Sequence, residues 1–440
     1  MAQIIPFRGT LYDLASVGSV RNVVAPPYDI IDAAGQKALH DRHPQNIIRL
    51  ELGMDEPGDN ATNNRYMRAA ETLRAWIAHG ALKRDAQPAI YYHTIEYVPP
   101  SSDARAPKKT LRGFLTTTKL EPLDSGHIYP HENTRSAAKT DRLNLLKSCK
   151  ANLSPIWLLY SDPHNAILGL FEKAVKGQPA RIDFEDDNGC RQRLWTVTDP
   201  SILRQIMDIM ASKPLFIADG HHRYETALNY QRFRRETDRT SGKLKPYDSV
   251  LMLLSPLEDP GLTVLPTHRV ITTPLPPKQQ VAARLADTFD LTEFSFTTST
   301  TVAVREQFLE ALRINGRTAP TFGLALKRDD RYLMLSLKAS HRPSADASPR
   351  TKLDVSLLQQ LVVSVLCPTQ QEQEAILYTK DDHEALDWAA EGPGTAALLL
   401  NATKVSEVQA VATAGERMPH KSTYFYPKPL TGLVIHVMES

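Results

Sequence analysis

Cysteine is scarce in this chain, with three in 440 residues. Cys149, Cys190 and Cys367 are scattered, with no CxxC pair, which excludes a disulfide framework and suits a reducing compartment. Charge of one sign is also lacking: Lys and Arg total 52 against 50 Asp and Glu, a net charge of +2. A concentrated basic field is what nucleic acid or a membrane surface demands, so no nucleic-acid partner is expected. No apolar run is long enough to span a bilayer, and Met1-Ala2-Gln3-Ile4-Ile5-Pro6 carries no signal-peptide pattern. No membrane partner and a cytoplasmic location are expected. The first hundred or so residues contain neither GxxxxGK[ST] nor GxGxxG, so a P-loop or a standard dinucleotide fold has no support there. His131-Glu132 does not open an HExxH motif, which disfavours a zinc peptidase.

What is present is ordinary globular composition, 42% hydrophobic and 23% charged. The length exceeds what one core usually serves, so two or three domains are expected. Strand-like and helix-like stretches alternate along the chain, which predicts an α/β protein with mixed sheets. Residues 1–110 read as an N-terminal α/β unit. Asn22 to Ile31 is expected to be a strand entering a Pro-stiffened turn, and a helix to follow from Asp32 to His40. Asn46 to Leu52 alternates like a strand, and Asn64 to His79 has Tyr66, Ala70, Leu73 and Ile77 on one helical stripe. Ala89 to Val98 and Leu111 to Leu120 read as strands around a polar loop, Pro99 to Lys109. Residues 111–270 form the expected central unit, with Leu262 to Val270 as a strand. Residues 271–440 form a further α/β unit with a hairpin at Thr321–Leu326 and Tyr332–Leu337. Its last stretch, about 415–440, ends in a strand from Gly432 to Val437.

The densest chemistry lies at Leu215-Phe216-Ile217-Ala218-Asp219-Gly220-His221-His222-Arg223-Tyr224-Glu225-Thr226-Ala227-Leu228. Apolar residues predict a short buried strand, Asp219-Gly220 a sharp turn, and His221 onward a helix to about Arg235. Amides at a helix N-terminus favour anions. Arg223 adds a forked donor for phosphate, and Gly220 lets the backbone approach a ligand. The alternative is a charged turn in which Asp219 merely caps the helix. Upstream, Glu132 in Pro130-His131-Glu132-Asn133-Thr134 could serve as a general base, or simply favour a nearby helix dipole. Thr267-His268-Arg269 is either a strand-end polar cluster or a substrate-facing one. Lys421, with Ser422 and Thr423, could grip an anion or form a basic terminal turn.

The ordered set APPYD (Ala25–Asp29), PHENT (Pro130–Thr134), KTDRL (Lys139–Leu143), ADGHHRYETAL (Ala218–Leu228), LPTHR (Leu265–Arg269) and KSTYFYPK (Lys421–Lys428) resembles the family catalogued as domain of unknown function 1015. A more distant resemblance, through PHE, DGHHR and the Lys-Ser-Thr segment, is to the ParB-like free serine kinases of the ParB/sulfiredoxin superfamily. It implies a ParB/sulfiredoxin-like core with a large insertion between the first two motifs and additional α/β segments. It further implies a kinase that phosphorylates free L-serine from ATP or ADP with Mg²⁺. Glu132 would match the catalytic base. Asp219, Gly220, His221, His222 and Arg223 would match the nucleotide-handling turn, with Asp219 holding the magnesium and His221 close to the chemistry. Lys421, Ser422 and Thr423 would match the segment that holds the amino acid or its phosphate, with His131, Thr134, His268 and Arg269 as further substrate-side candidates. Two other classes remain open: a ParB-like nucleotide switch, and a metal-dependent phosphatase using His221 and His222.

Overall fold

A computed structural model describes residues 3–100, 107–132, 134, 136–238 and 243–439. Two sheets organise it. The larger has nine strands: β1 (Ile4–Ile5), β2 (Ile90–Tyr97), β3 (Lys109–Lys119), β4 (Ile128–Tyr129), β5 (Ile156–Tyr160), β6 (Ile182–Glu185), β7 (Arg191–Val197), β8 (Leu215–Asp219) and β9 (Ser249–Pro256). Their order is β4-β8-β5-β9-β3-β2-β7-β6, with β1 also paired to β3. The β4–β8 and β5–β9 pairs are parallel and the others antiparallel. The second sheet has six strands, β10 (His268–Ile271), β11 (Phe289–Ser295), β12 (Thr321–Leu326), β13 (Arg331–Leu337), β14 (Leu377–Thr379) and β15 (Ala396–Leu400), in the order β11-β13-β12-β15-β10-β14. All its pairs are antiparallel. The fold is mixed α/β, as expected, and the hairpin β12–β13 stands where its turn chemistry set it. The expected unit boundary at 110–111 falls inside β3.

Successive side chains of a strand point to opposite faces, and both faces of the large sheet are covered. Tyr91, Ile95, Leu251 and Leu253 face one core, which continues into Leu324, Leu335 and Leu398 of the second sheet. Ile90, Tyr92, Val250, Met252 and Leu254 face the other. There the helices α1 (Ala166–Val175), α2 (Pro200–Met210) and α3 (His221–Asp238) supply Ile167, Phe171, Ile206, Met210, Tyr224 and Ala227. No helix among the described residues is long and apolar enough to cross a membrane. The three cysteines are buried and free.

Several expected strands form something else. Residues 22–31 make two short 3₁₀ turns, Val20–Asn22 and Tyr28–Ile30, and only Ala25 bridges, to Thr431. Residues 46–52 form a helical turn, Ile48–Glu51. The Asn46 carboxamide starts it by accepting from the Ile48 amide at 2.9 Å, while its own NH₂ donates to the Asn22 and Val24 carbonyls. Ile47, Ile48, Leu50 and Glu51 are all buried, and a turn buried on every side mimics strand alternation. Residues 262–270 split at Pro266, which has no amide for a ladder. Thr263–Leu265 pairs with Tyr424–Tyr426, whereas β10 enters the second sheet. Within the expected strand 432–437, Ile435 bridges to Thr10 and His436–Val437 pairs with Ala151–Asn152. The helix Arg65–Ala78 buries Ala69, Ala70, Leu73 and Trp76 rather than Ile77. The expected loop at 99–109 lies in part outside the described residues, and α3 runs three residues past its expected end to Asp238.

Candidate functional site

Leu215 and Ile217 of β8 enter one core while Phe216 and Ala218 enter the other. A bulge between Ile217 and Asp219 ends this regular pairing and turns the last side chain out of the pleat. Gly220 then has φ +95°, a conformation that L side chains rarely adopt. A Cβ there would also lie 3.0 Å from Nε of Arg223. Gly220→Ala is therefore expected to cost about 1–3 kcal/mol, read as a lower unfolding midpoint. An unchanged midpoint would mean that the turn relaxes freely.

Asp219 sits between two cations. One carboxylate oxygen accepts from Arg223 Nη2 at 2.6 Å and the other from Lys428 Nζ. Burial opposes its charge, but Lys428 and Arg223 outweigh that and hold its pKa well below the usual carboxylate range. Arg223 also donates through Nη1 to the Pro155 carbonyl. Both terminal nitrogens are thereby engaged in clamping the turn, where a phosphate fork was expected.

His221 begins α3 and is buried. Its Nε2 accepts from the His131 amide at 3.2 Å, which puts the neutral ring's proton on Nδ1. That atom faces Glu132 Oε2 at 3.7 Å, while His420 Nδ1 lies 3.5 Å from Glu132 Oε1. The His131 and His221 rings meet edge to face at 4.6 Å, and His131 Nε2 lies 3.1 Å from the Thr423 hydroxyl. Burial leads in lowering both imidazoles, to about 4 for His131 and about 3 for His221. Glu132 is pulled the other way from its own burial: the His420 hydrogen bond and the charges of His221 and His131 lower it to about 2. At neutral pH this is an ionised carboxylate beside the neutral rings of His131 and His221.

These groups open on one cavity of about 480 Å³, within the range of small-molecule sites. Glu132, Asp219, Gly220, His221, His222, Arg223, Lys421 and Thr423 line it, from segments far apart in sequence. His131 stands behind them. Besides His131, four expected site residues do not reach the wall. The Thr134 hydroxyl donates to Glu225 at 2.8 Å, beside Lys139. Buried His268 pairs with Asp382 at 2.6 Å. Ser422 donates to the Pro419 carbonyl, closing its own turn. Buried Arg269 donates to the carbonyls of Thr267 and Lys421. It thereby supports Lys421, which has φ 55°. Each of the four is committed to a neighbour and positions the wall instead of forming it.

Sequence reasoning missed several wall residues: Tyr28 and Asp29, Tyr378 with Lys380, His420, Tyr424 and Lys428. Tyr28-Asp29 lies in the APPYD stretch and Tyr424 and Lys428 in KSTYFYPK, so motif membership was the available signal. Nothing local marks Lys380. Among the described residues no group of three or more His, Cys, Asp or Glu could hold a metal ion, and both oxygens of Asp219, the expected magnesium ligand, are already on cations. The described residues therefore offer no resident-metal site, and neither His221 nor His222 belongs to one.

A family model described as "Protein of unknown function (DUF1015)" matches residues 4–356. The chain belongs to this family. Tyr28 and Asp219, both within the matched span, line the cavity of this DUF1015 member. No curated protein matches the chain. Among solved structures, a conserved hypothetical protein from Pyrococcus furiosus is similar at 13% identity and a TM-score of 0.34, covering 70% of this chain and 90% of that one. A mutant free serine kinase in complex with AMP has the same identity and score, covering 74% and 91%. SbnI with C-terminal truncation from Staphylococcus aureus is 12% identical, with a TM-score of 0.36 over 72% and 85%. These likenesses are distant, and the site of this DUF1015 member is read from its own residues.

Proposed function

We propose that this chain is a nucleotide-dependent phosphotransferase acting on the hydroxyl of a small amino acid, L-serine first, on a ParB/sulfiredoxin-like core over about 111–270. The observation that carries the proposal is the meeting of Glu132, the Asp219–His222 turn and the Lys421–Thr423 segment on one cavity. Phosphoryl transfer needs a placed hydroxyl and cations around the phosphoryl oxygens, with little covalent work from the protein. Glu132 accepts the serine hydroxyl proton as that oxygen bonds to the terminal phosphorus of ATP or ADP. The bond from this phosphorus to the bridging oxygen breaks, and the nucleotide leaves one phosphate shorter. His221 and His420 hold the Glu132 carboxylate in place. The turn amides at the start of α3, with Lys421 and Lys428, face the phosphates. Mg²⁺ enters as the nucleotide's counter-ion, part of the substrate, with no protein ligand assigned to it. The buried free cysteines suit a cytoplasmic setting.

Incubation of the protein with ATP or ADP, Mg²⁺ and L-serine is expected to yield O-phosphoserine, detected by mass spectrometry. No phosphorylated product from serine, threonine or homoserine with either nucleotide would overturn the proposal.

A further inference from the structure

The segment Thr379-Lys380-Asp381-Asp382-His383-Glu384 leaves β14 and enters the helix α4 (Asp382–Ala390). Three carboxylates lie within four residues of Lys380, yet each is committed elsewhere. Asp381 caps α4, its Oδ1 accepting from the amides of His383 at 2.9 Å and Glu384 at 3.0 Å. Asp382 lies 2.6 Å from Nε2 of His268, whose Nδ1 accepts from the Leu400 amide. Glu384 accepts from the Thr379 hydroxyl.

The Lys380 ammonium instead turns into the cavity. It lies 4.7 Å from the Tyr424 ring centre and 5.6 Å from that of Tyr426, with Tyr424 Oη as hydrogen-bond acceptor at 3.4 Å. Among the described residues no carboxylate forms an ion pair with it. Lys428 lies 4.9 Å from the centre of the same Tyr424 ring. Burial, then the charge of Lys428, lowers the Lys380 pKa. Ring faces hold a cation in place but do not neutralise it. A half-buried ammonium facing a second ammonium stays costly until an anion arrives.

We propose that Lys380 is a substrate-binding residue that pairs with an oxyanion of the reactants, a nucleotide phosphate or the acceptor carboxylate. The identity of these two sources rests on the phosphotransfer reading; the oxyanion chemistry follows from the unneutralised ammonium. His268 and Asp382 act as positioning residues, because their pairing keeps a neighbouring carboxylate off Lys380.

The test is calorimetric titration of the full chain, wild type, Lys380→Met and Lys380→Arg, with ADP, pyrophosphate, L-serine and O-phosphoserine. Lys380→Met is expected to weaken at least one probe about tenfold or more, as loss of a charged hydrogen bond does. Lys380→Arg keeps the charge and should retain most of that affinity. Weakening of ADP and pyrophosphate assigns the phosphate; weakening confined to the amino acids assigns the carboxylate. The unfolding midpoint of Lys380→Met should change little, since no ion pair is lost and relief of a half-buried charge offsets the lost ring contacts, and this separates a binding role from a structural one. If the wild type binds pyrophosphate through Lys380 but no nucleotide, the phosphotransfer reading fails and the oxyanion site stands. Affinities of Lys380→Met within twofold of wild type for every probe, or a wild type that binds none of them, would overturn the proposal.

Discussion

Glu132→Gln is expected to lower kcat for phosphoserine formation by about 10²–10⁴-fold, the usual contribution of a placed acid–base group. The substitution keeps the side chain's shape between His221 and His420 and removes only its charge and proton affinity. Nucleotide affinity should therefore change by less than about threefold, a free-energy difference of about 0.6 kcal/mol. A pKa near 2 makes Glu132 a weak base in the resting protein, and phosphoryl transfer tolerates this. The attacking oxygen becomes acidic only as its bond to phosphorus forms, and in a loose transition state that comes late. The same low pKa means that protonation of Glu132 does not limit activity anywhere near neutral pH. A rapid-quench measurement of the first turnover, beside a nucleotide titration, checks both halves. A Gln variant that turns over within threefold of wild type would remove Glu132 from the chemistry.

Mild acid is expected to destabilise the protein well before the site carboxylates Glu132 and Asp219 titrate. His93, His131 and His436 are held at about 4 and His221 at about 3, with burial the leading cause in each. In the unfolded chain a histidine titrates near 6.5. Between roughly pH 6.5 and 4 the unfolded state thus binds protons that the folded state does not, and stability falls as pH is lowered. Each group contributes at most about 1.4 kcal/mol per pH unit, so the four together reach about 5 kcal/mol per unit at the steepest. Glu132 and Asp219 have lowered pKa values, and their stabilisation is lost only at lower pH, below about 4. Asp354, raised by burial to about 6, takes up a proton in the folded state over the same range and offsets one ring, so the net decline between about 6.5 and 4 comes from the other histidines. Thermal unfolding at pH 8, 7, 6 and 5 is expected to show a plateau to pH 7 and a steep decline below it. A midpoint that is level down to pH 5 would mean that these rings take up protons inside the fold.

Much of this was legible in the chain itself. The α/β class, the β12–β13 hairpin and the strand-to-helix turn at Asp219 follow from periodicity and from Gly and Asp at a turn. These are local properties, set by residues within a few positions of one another. The motif order also marked Glu132, the Asp219–His222 turn and the Lys421–Thr423 segment, which share one cavity.

Commitment of side chains was not legible. Arg223, His268, Arg269 and Thr134 carry the chemistry of ligand-binding groups, yet each is held by a partner elsewhere in the fold. Nothing in the sequence tells what Lys380, or Lys428 of the KSTYFYPK stretch, pairs with. Lys428 neutralises Asp219 across 209 positions, whereas Lys380 forms no ion pair with a carboxylate among the described residues, the three nearby ones being already bound. The sequence alone determined which residue types were available and which segments would be strand, turn or helix, since those depend on short-range backbone preference. Tertiary structure decided which charges were left facing the cavity, because pairing depends on distances that only the closed chain sets.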